Sequence, residues 1–171
     1  MEGHIQIYTG NGKGKTTAAL GLALRTAGAG KTVFIGQFLK SGDYSELKAL
    51  KKLAEQIKIE HYGLGRFVKG RPSPEDIEAG MEGYKRVTQI IEKGKHDLVI
   101  LDEGNIAVKY NLFSEQDLLD LFENKPQHVE IVVTGRWATR AVMEKADLVT
   151  EMKVVKHYFQ KGVKARIGIE K

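Results

Sequence analysis

Nine residues, Thr9-Gly10-Asn11-Gly12-Lys13-Gly14-Lys15-Thr16-Thr17, lie between the apolar run Ile5 to Tyr8 and an apolar helical stretch. A triphosphate-binding loop needs this order. Glycines let backbone N–H groups turn inward around phosphate oxygens, Lys15 brings a mobile positive charge, and the Thr16 hydroxyl can ligate Mg²⁺. The helix that follows points its positive end at the anion. Gly10, Asn11, Gly12, Lys13, Gly14, Lys15, Thr16 and Thr17 are therefore the residues expected to hold a nucleotide by its triphosphate. In the common pattern G-x-x-x-x-G-K-[ST] the first glycine falls at position 9, where this chain has Thr9, and Gly10 comes one place late. A flexible glycine turn before a helix is the plain alternative, and it leaves Gly-Lys-Thr after a strand unexplained.

A second cluster completes such a site. Leu98 to Asp102 is an apolar run that ends in Asp102 and Glu103, and the carboxyl ends of parallel strands face the ligand crevice. Thr16, Asp102 and Glu103 are the expected Mg²⁺ side, directly or through water, because Mg²⁺ prefers hard oxygen ligands and keeps much of its hydration. Two solvated acids at a strand end are the alternative. Thr134-Gly135-Arg136 follows another apolar run, so Arg136 either reaches the phosphates with its fork of donors or pairs with a surface acid. The five histidines show no i,i+4 metal spacing, so no metal beyond Mg²⁺ is expected. No serine sits in a nucleophile elbow.

Positioning these groups calls for alternating strands and helices. Short apolar runs alternate with helical periods, which predicts βαβ units and an α/β fold, a mostly parallel central sheet with helices on both faces. Strands are expected at Ile5 to Tyr8, Val33 to Leu39, Ile57 to His61, Asp97 to Asp102 and Val129 to Thr134. Helices are expected at Thr16 to Ala27, buried on most faces and stopped by Gly28 and Gly30, and after Ser45 as a cap, carrying Leu47, Leu50 and Leu53. Ser73 with Pro74, Glu75 and Asp76 opens another, with Ile77, Met81, Tyr84, Thr88 and Ile91 on one face. Ser114-Glu115-Gln116-Asp117 opens a further helix, and Trp137 to Lys145 a short one. Tyr62 to Pro74, rich in glycine and proline, is expected to be a long surface loop. Leu148 to Met152, Val154 to Phe159 and Lys164 to Ile169 are expected as strands around a turn at Gln160-Lys161-Gly162.

The 171 residues suit one domain, 1–171, and no apolar run approaches the roughly 20 residues needed to cross a bilayer. With no secretion signal at the N-terminus, a cytoplasmic protein without a membrane partner is expected. Cysteine is absent, so electrons must come from a partner or cofactor. The net charge of +5 gathers towards the end: Lys153 to Lys171 holds five lysines and Arg166 against Glu170 alone. Either this tail is simply solvated or it contacts nucleic acid, though only Tyr158 and Phe159 could serve as a stacking platform.

Taken together, several segments resemble the P-loop type of ATP:corrinoid adenosyltransferases over nearly the full chain. They are Gly10 to Ala19, Gln37-Phe38-Leu39-Lys40, Leu101-Asp102-Glu103, Thr134-Gly135-Arg136, Glu151-Met152-Lys153-Val154-Val155-Lys156-His157, Gly162-Val163-Lys164-Ala165 and Gly168-Ile169. The late glycine of the phosphate loop is how that family writes it. The resemblance implies a P-loop NTPase (RecA-like) fold and transfer of the 5′-deoxyadenosyl group of ATP to the cobalt of a reduced corrinoid, cobalamin or a precursor, with release of triphosphate. It implies that Lys13, Lys15, Thr16 and Glu103 act in catalysis with Mg²⁺, and that ATP lies reversed in the loop, exposing C5′. An external reductant such as a reduced flavoprotein and a homodimer are also implied, and no nucleic-acid partner. Two departures stand out. Better-known members carry an N-terminal extension over the corrinoid, whereas here the first strand begins almost at Met1, so a more open corrinoid site is expected. They also carry a Phe and a Trp after the third strand, where this chain reads Gly65-Arg66-Phe67-Val68-Lys69, leaving Phe67 as the expected corrinoid contact.

Two other functions fit the residues less fully. A nucleotide kinase or ATPase would use Glu103 to position water or a hydroxyl at the γ-phosphate. A regulatory nucleic-acid binder would use the basic tail, with ATP as a switch and strongly salt-dependent binding.

Overall fold

The computed structural model describes residues 2–39, 44–64 and 70–170. Six strands, β1 (Ile5–Thr9), β2 (Val33–Phe38), β3 (Ile57–Tyr62), β4 (Leu98–Asp102), β5 (Glu130–Thr134) and β6 (Leu148–Glu151), form one sheet in the order β3-β2-β4-β5-β1-β6. Every neighbouring pair is parallel. The central strands are apolar on both faces because both faces are covered. Phe34, Val99, Leu101, Ile131 and Val133 point into one core with α3 (Pro74–Glu92), α4 (Gly104–Lys109), α5 (Glu115–Glu123) and α6 (Arg140–Lys145). Ile35, Leu98, Ile100 and Val132 point into the other with α1 (Lys15–Gly28) and α2 (Ser45–Leu50). The α/β expectation holds.

Both reciprocal capping boxes read from the sequence are present. Ser73 accepts from the Asp76 N–H and Ser114 from the Asp117 N–H, and each aspartate accepts in return from the cap's own N–H.

Other expectations need correction. The stripe of α1 that meets the sheet is narrow: Ala19 and Ala23 are fully buried, while Leu24 is 56% exposed. Two alanines let the helix lie close, and close approach leaves the larger leucines at its flanks. Ser45 is the first helical residue of α2, and Tyr44 stands at the cap without a side-chain bond. On α3 the inward face runs through Gly80, Gly83, Val87 and Ile91, whereas Ile77 is 40% exposed. A Cβ on Gly80 would lie 2.6 Å from Leu112 Cβ, and one on Gly83 would lie 2.4 Å from Tyr62 Cγ. Glycines thus let α3 lie close to Leu112 and to Tyr62 of β3, which a hydrophobic pattern passes over.

Trp137 lies outside α6, which starts after its Thr139 cap. Val154 to Phe159 and Lys164 to Ile169 form no strands. After β6 the chain is drawn off the sheet, because Met152 N–H donates to Thr9 O while its own carbonyl accepts from Gly12 N–H. Beyond lies a 3-10 turn, Tyr158–Lys161, ending at Gly162 with φ 80°. The helix α4 was not expected at all. The expected loop from Tyr62 to Pro74 falls partly outside the described residues.

Candidate active site

The phosphate loop joins β1 to α1. Thr9 takes the position of the usual first glycine because it is the last residue of β1, and its Oγ1 accepts from Ala138 N–H at 3.3 Å. Gly10 (φ 92°) and Gly14 (φ 117°) adopt backbone angles that favour glycine, and a Cβ on Gly10 would stand 2.5 Å from Met152 O. The late glycine is thus required by the close approach of Met152, the residue after β6. Lys15 Nζ donates to Gly10 O and Gly12 O, both at 2.7 Å, and holds the loop in a ring. Gly14 caps α1, whose first turn holds no acid to oppose an anion.

Asp102 sits two strands away, at the end of β4, and is 1% exposed. Its Oδ1 accepts from Thr16 Oγ1 at 2.8 Å and from Thr134 Oγ1 at 2.7 Å, and its Oδ2 accepts from Gln37 Nε2 at 2.9 Å. Burial of a carboxylate is tolerated because hydrogen bonds surround it. Gln37 Oε1 is buried without a hydrogen-bond partner. Glu103 follows in left-handed conformation (φ 60°), its N–H donating to Thr134 Oγ1 at 3.0 Å. One hydroxyl therefore links Asp102 and Glu103. Among the described residues no group of three or more His, Asp or Glu side chains is placed to hold a metal ion.

These groups open on a cleft of about 970 Å³. The loop from Asn11 to Thr17 lines it, together with Leu39, Tyr44, Ile106, Tyr110 and Trp137 and with Glu103 and exposed Arg136. The tail contributes His157, Gly168, Ile169 and Glu170. Lys13 Nζ donates to Glu170 Oε1 at 3.0 Å, to Ile169 O at 3.0 Å and to Tyr158 OH at 3.2 Å. Arg166 grips the same carboxylate through Nε and Nη2, and Tyr158 OH also donates to it. These bonds, Arg166 first and then Tyr158, hold the Glu170 carboxyl well below the usual carboxylate range. The bond to Glu170 raises the Lys13 ammonium above its ordinary value.

The structure brings together Gly10 to Thr17, Asp102, Glu103 and Arg136. Phe67 lies outside the described residues. Sequence reasoning missed Gln37 and Thr134, which hold Asp102, and the tail residues Tyr158 and Glu170. For the first pair a signal existed: each is a polar residue within an otherwise apolar strand.

The sequence model of the family described as ATP:corrinoid adenosyltransferase BtuR/CobO/CobP matches residues 1–170. A corrinoid adenosyltransferase of Escherichia coli (strain K12) is 35% identical over 169 residues, covering 98% of this chain and 85% of the relative. One from Pseudomonas aeruginosa is 34% identical over 169 residues, covering 98% of this chain and 83% of the relative. The corrinoid adenosyltransferase CobA of Salmonella typhimurium is 34% identical over 169 residues, with 98% and 85% covered.

Proposed function

Because this chain belongs to the ATP:corrinoid adenosyltransferase family, we propose that its phosphate loop grips the triphosphate of ATP and turns C5′ towards a reduced corrinoid in the adjoining cleft. The Co(I) lone pair forms the cobalt–carbon bond as the bond from C5′ to oxygen breaks, and that electron pair leaves with triphosphate. Co(I) is already a strong nucleophile, so the protein need only align the reactants and stabilise the charge of the leaving group. The observation that carries this reading is continuity: the cleft runs from the phosphate loop to a largely apolar wall without interruption.

Lys15, Lys13 and the N–H groups from Gly10 to Thr17, apart from that of Gly12, which is committed to Met152 O, bind the triphosphate, and Arg136 reaches it from the rim. Thr16, Asp102 and Glu103 fit Mg²⁺, which when bound neutralises phosphate charge. Thr16 Oγ1 donates its proton to Asp102, which leaves a hydroxyl lone pair for the metal. Asp102 already accepts three hydrogen bonds, so it suits an outer role through water, and Gln37 Oε1 is a further acceptor for such a water.

Phe67 contacts the corrinoid, an external reductant of the reduced-flavoprotein kind delivers Co(I), and the enzyme works in the cytoplasm as a homodimer. The β6 edge supports the dimer: Leu148 and Val149 are exposed on the last strand of the sheet, which among the described residues pairs on one side alone. No helix among the described residues is long and apolar enough to cross a membrane.

The test is incubation with Mg-ATP and chemically reduced cobalamin. A cobalt–carbon product in the visible spectrum, with stoichiometric triphosphate, is expected. ADP and phosphate without that product would establish a kinase or ATPase instead.

A further inference from the structure

Three non-glycine residues along the carboxyl edge of neighbouring strands adopt positive φ: Leu39 after β2 (58°), Glu103 after β4 (60°) and Trp137 three residues past β5 (61°). All three line the same cleft. Side chains avoid this backbone region, bulky ones most of all, and such strain persists only where surrounding structure over-determines it. At Trp137 it does. Gly135 N–H donates to Tyr8 O at 3.1 Å, Gly135 O accepts from Asn105 Nδ2 at 3.2 Å, and Ala138 N–H donates to Thr9 Oγ1 at 3.3 Å. A Cβ on Gly135 would sit 3.1 Å from Ile106 N, so this side of the turn is pressed against α4. The turn is anchored on both sides of Trp137.

This strain does not serve core packing. The indole is 49% exposed, and among the described residues no other ring lies against it. A strained turn that holds a bare aromatic plane in a reactive cleft has a ligand as its natural counterpart. The phosphate loop contributes the lysines of that cleft. Leu39, Ile106 and Tyr110 line it as well as Trp137, and together they offer apolar surface to a flat, extended partner.

Resting on the transfer activity proposed above, we infer that Trp137 is a positioning residue for the corrinoid. Its indole lies against the macrocycle and seats the cobalt opposite C5′, and Leu39 supports the macrocycle from the end of β2, two strands away. Aromatic planes interact well with large flat partners, and burial of the exposed half of an indole favours binding.

Trp137→Gly, Trp137→Phe and wild type are compared in the full chain by steady-state kinetics with prereduced cobalamin and by thermal unfolding. Trp137→Gly is expected to raise KM for the corrinoid about tenfold while KM for ATP changes less than about twofold and the melting temperature rises, since glycine relieves the positive φ. Trp137→Phe keeps a ring and is expected to recover most of the corrinoid affinity. A merely structural tryptophan would give lower stability and unchanged KM on substitution, and that result overturns the inference. So does a rise in KM for ATP with the corrinoid unaffected, which would place the indole on adenine. Loss of turnover in wild type would instead sink the proposed activity, so the two failures are distinguishable.

Discussion

Lys13 Nζ and Glu170 Oε1 stand 3.0 Å apart, so the phosphate loop and the C-terminal tail share a charge pair. The cation proposed to meet a triphosphate is held by an acid 157 positions further along, and on that reading nucleotide must take it over. The Lys13 side of the pair is solvent-accessible, and screening by water keeps such a pair weak. Glu170→Gln is therefore expected to lower KM for ATP by no more than about fivefold, with kcat unchanged. A raised KM would assign Glu170 to the nucleotide side of the site.

The same carboxylate sets a pH dependence. Its folded pKa is depressed, chiefly by Arg166, so its contribution to stability is present above the unfolded value and is lost only as pH falls through the lower folded one. Tail docking is expected to persist below pH ~4, under the ordinary glutamate range. The ring signals of Tyr158 in an NMR titration report it, and undocking already complete at pH 5 would contradict this arrangement.

Lys15→Ala is expected to leave a folded protein with little activity. A hydrogen bond to a charged group contributes about 1.5–3 kcal/mol, which corresponds to a loss in kcat/KM of about 10- to 150-fold before any added effect in the transition state. Circular dichroism checks the fold, and unchanged turnover removes Lys15 from the site.

Thr134→Val deletes the hydroxyl that donates to Asp102 and accepts from Glu103 N–H. With a buried N–H left unpaired and a carboxylate short of a donor, stability is expected to fall by about 1–3 kcal/mol. Thr134→Ser should restore most of it, as read from urea midpoints. Equal stability of all three proteins would rule out the hydroxyl as the link.

Two glycines should respond oppositely. Gly21 in α1 has nothing within 4 Å of an added Cβ, so Gly21→Ala is expected to stabilise by about 0.5–1 kcal/mol. Gly83→Ala drives a methyl into the Tyr62 ring, 2.4 Å away, and overpacking of this kind typically costs about 1–3 kcal/mol. Thermal unfolding distinguishes them.

What could be seen in the sequence was local. The phosphate loop, Asp102 at a strand end and the boxes at Ser73 and Ser114 each announce themselves within a few residues, because one short contact determines each. The unseen features depend on distant partners. Gly80 and Gly83 look like gaps in a helix face until Leu112 and Tyr62 fill them. The six-residue α4 is too short for a period, and its first turn follows an acid in left-handed conformation. The tail pattern suggests strands, but Met152 commits its backbone to the phosphate loop instead.

The strand order has a consequence for the newborn chain. β1 leaves the ribosome first, yet it pairs with β5 and β6 alone, Ile5 beside Ile131 and Gln6 beside Leu148, whereas β2, β3 and β4 can assemble among themselves. The segment proposed to grip ATP must therefore wait, unpaired, until β5 has been synthesised. A nascent protein of this topology completes that segment after β2, β3 and β4 have formed, and chains cut short before β5 should lack its pairing altogether.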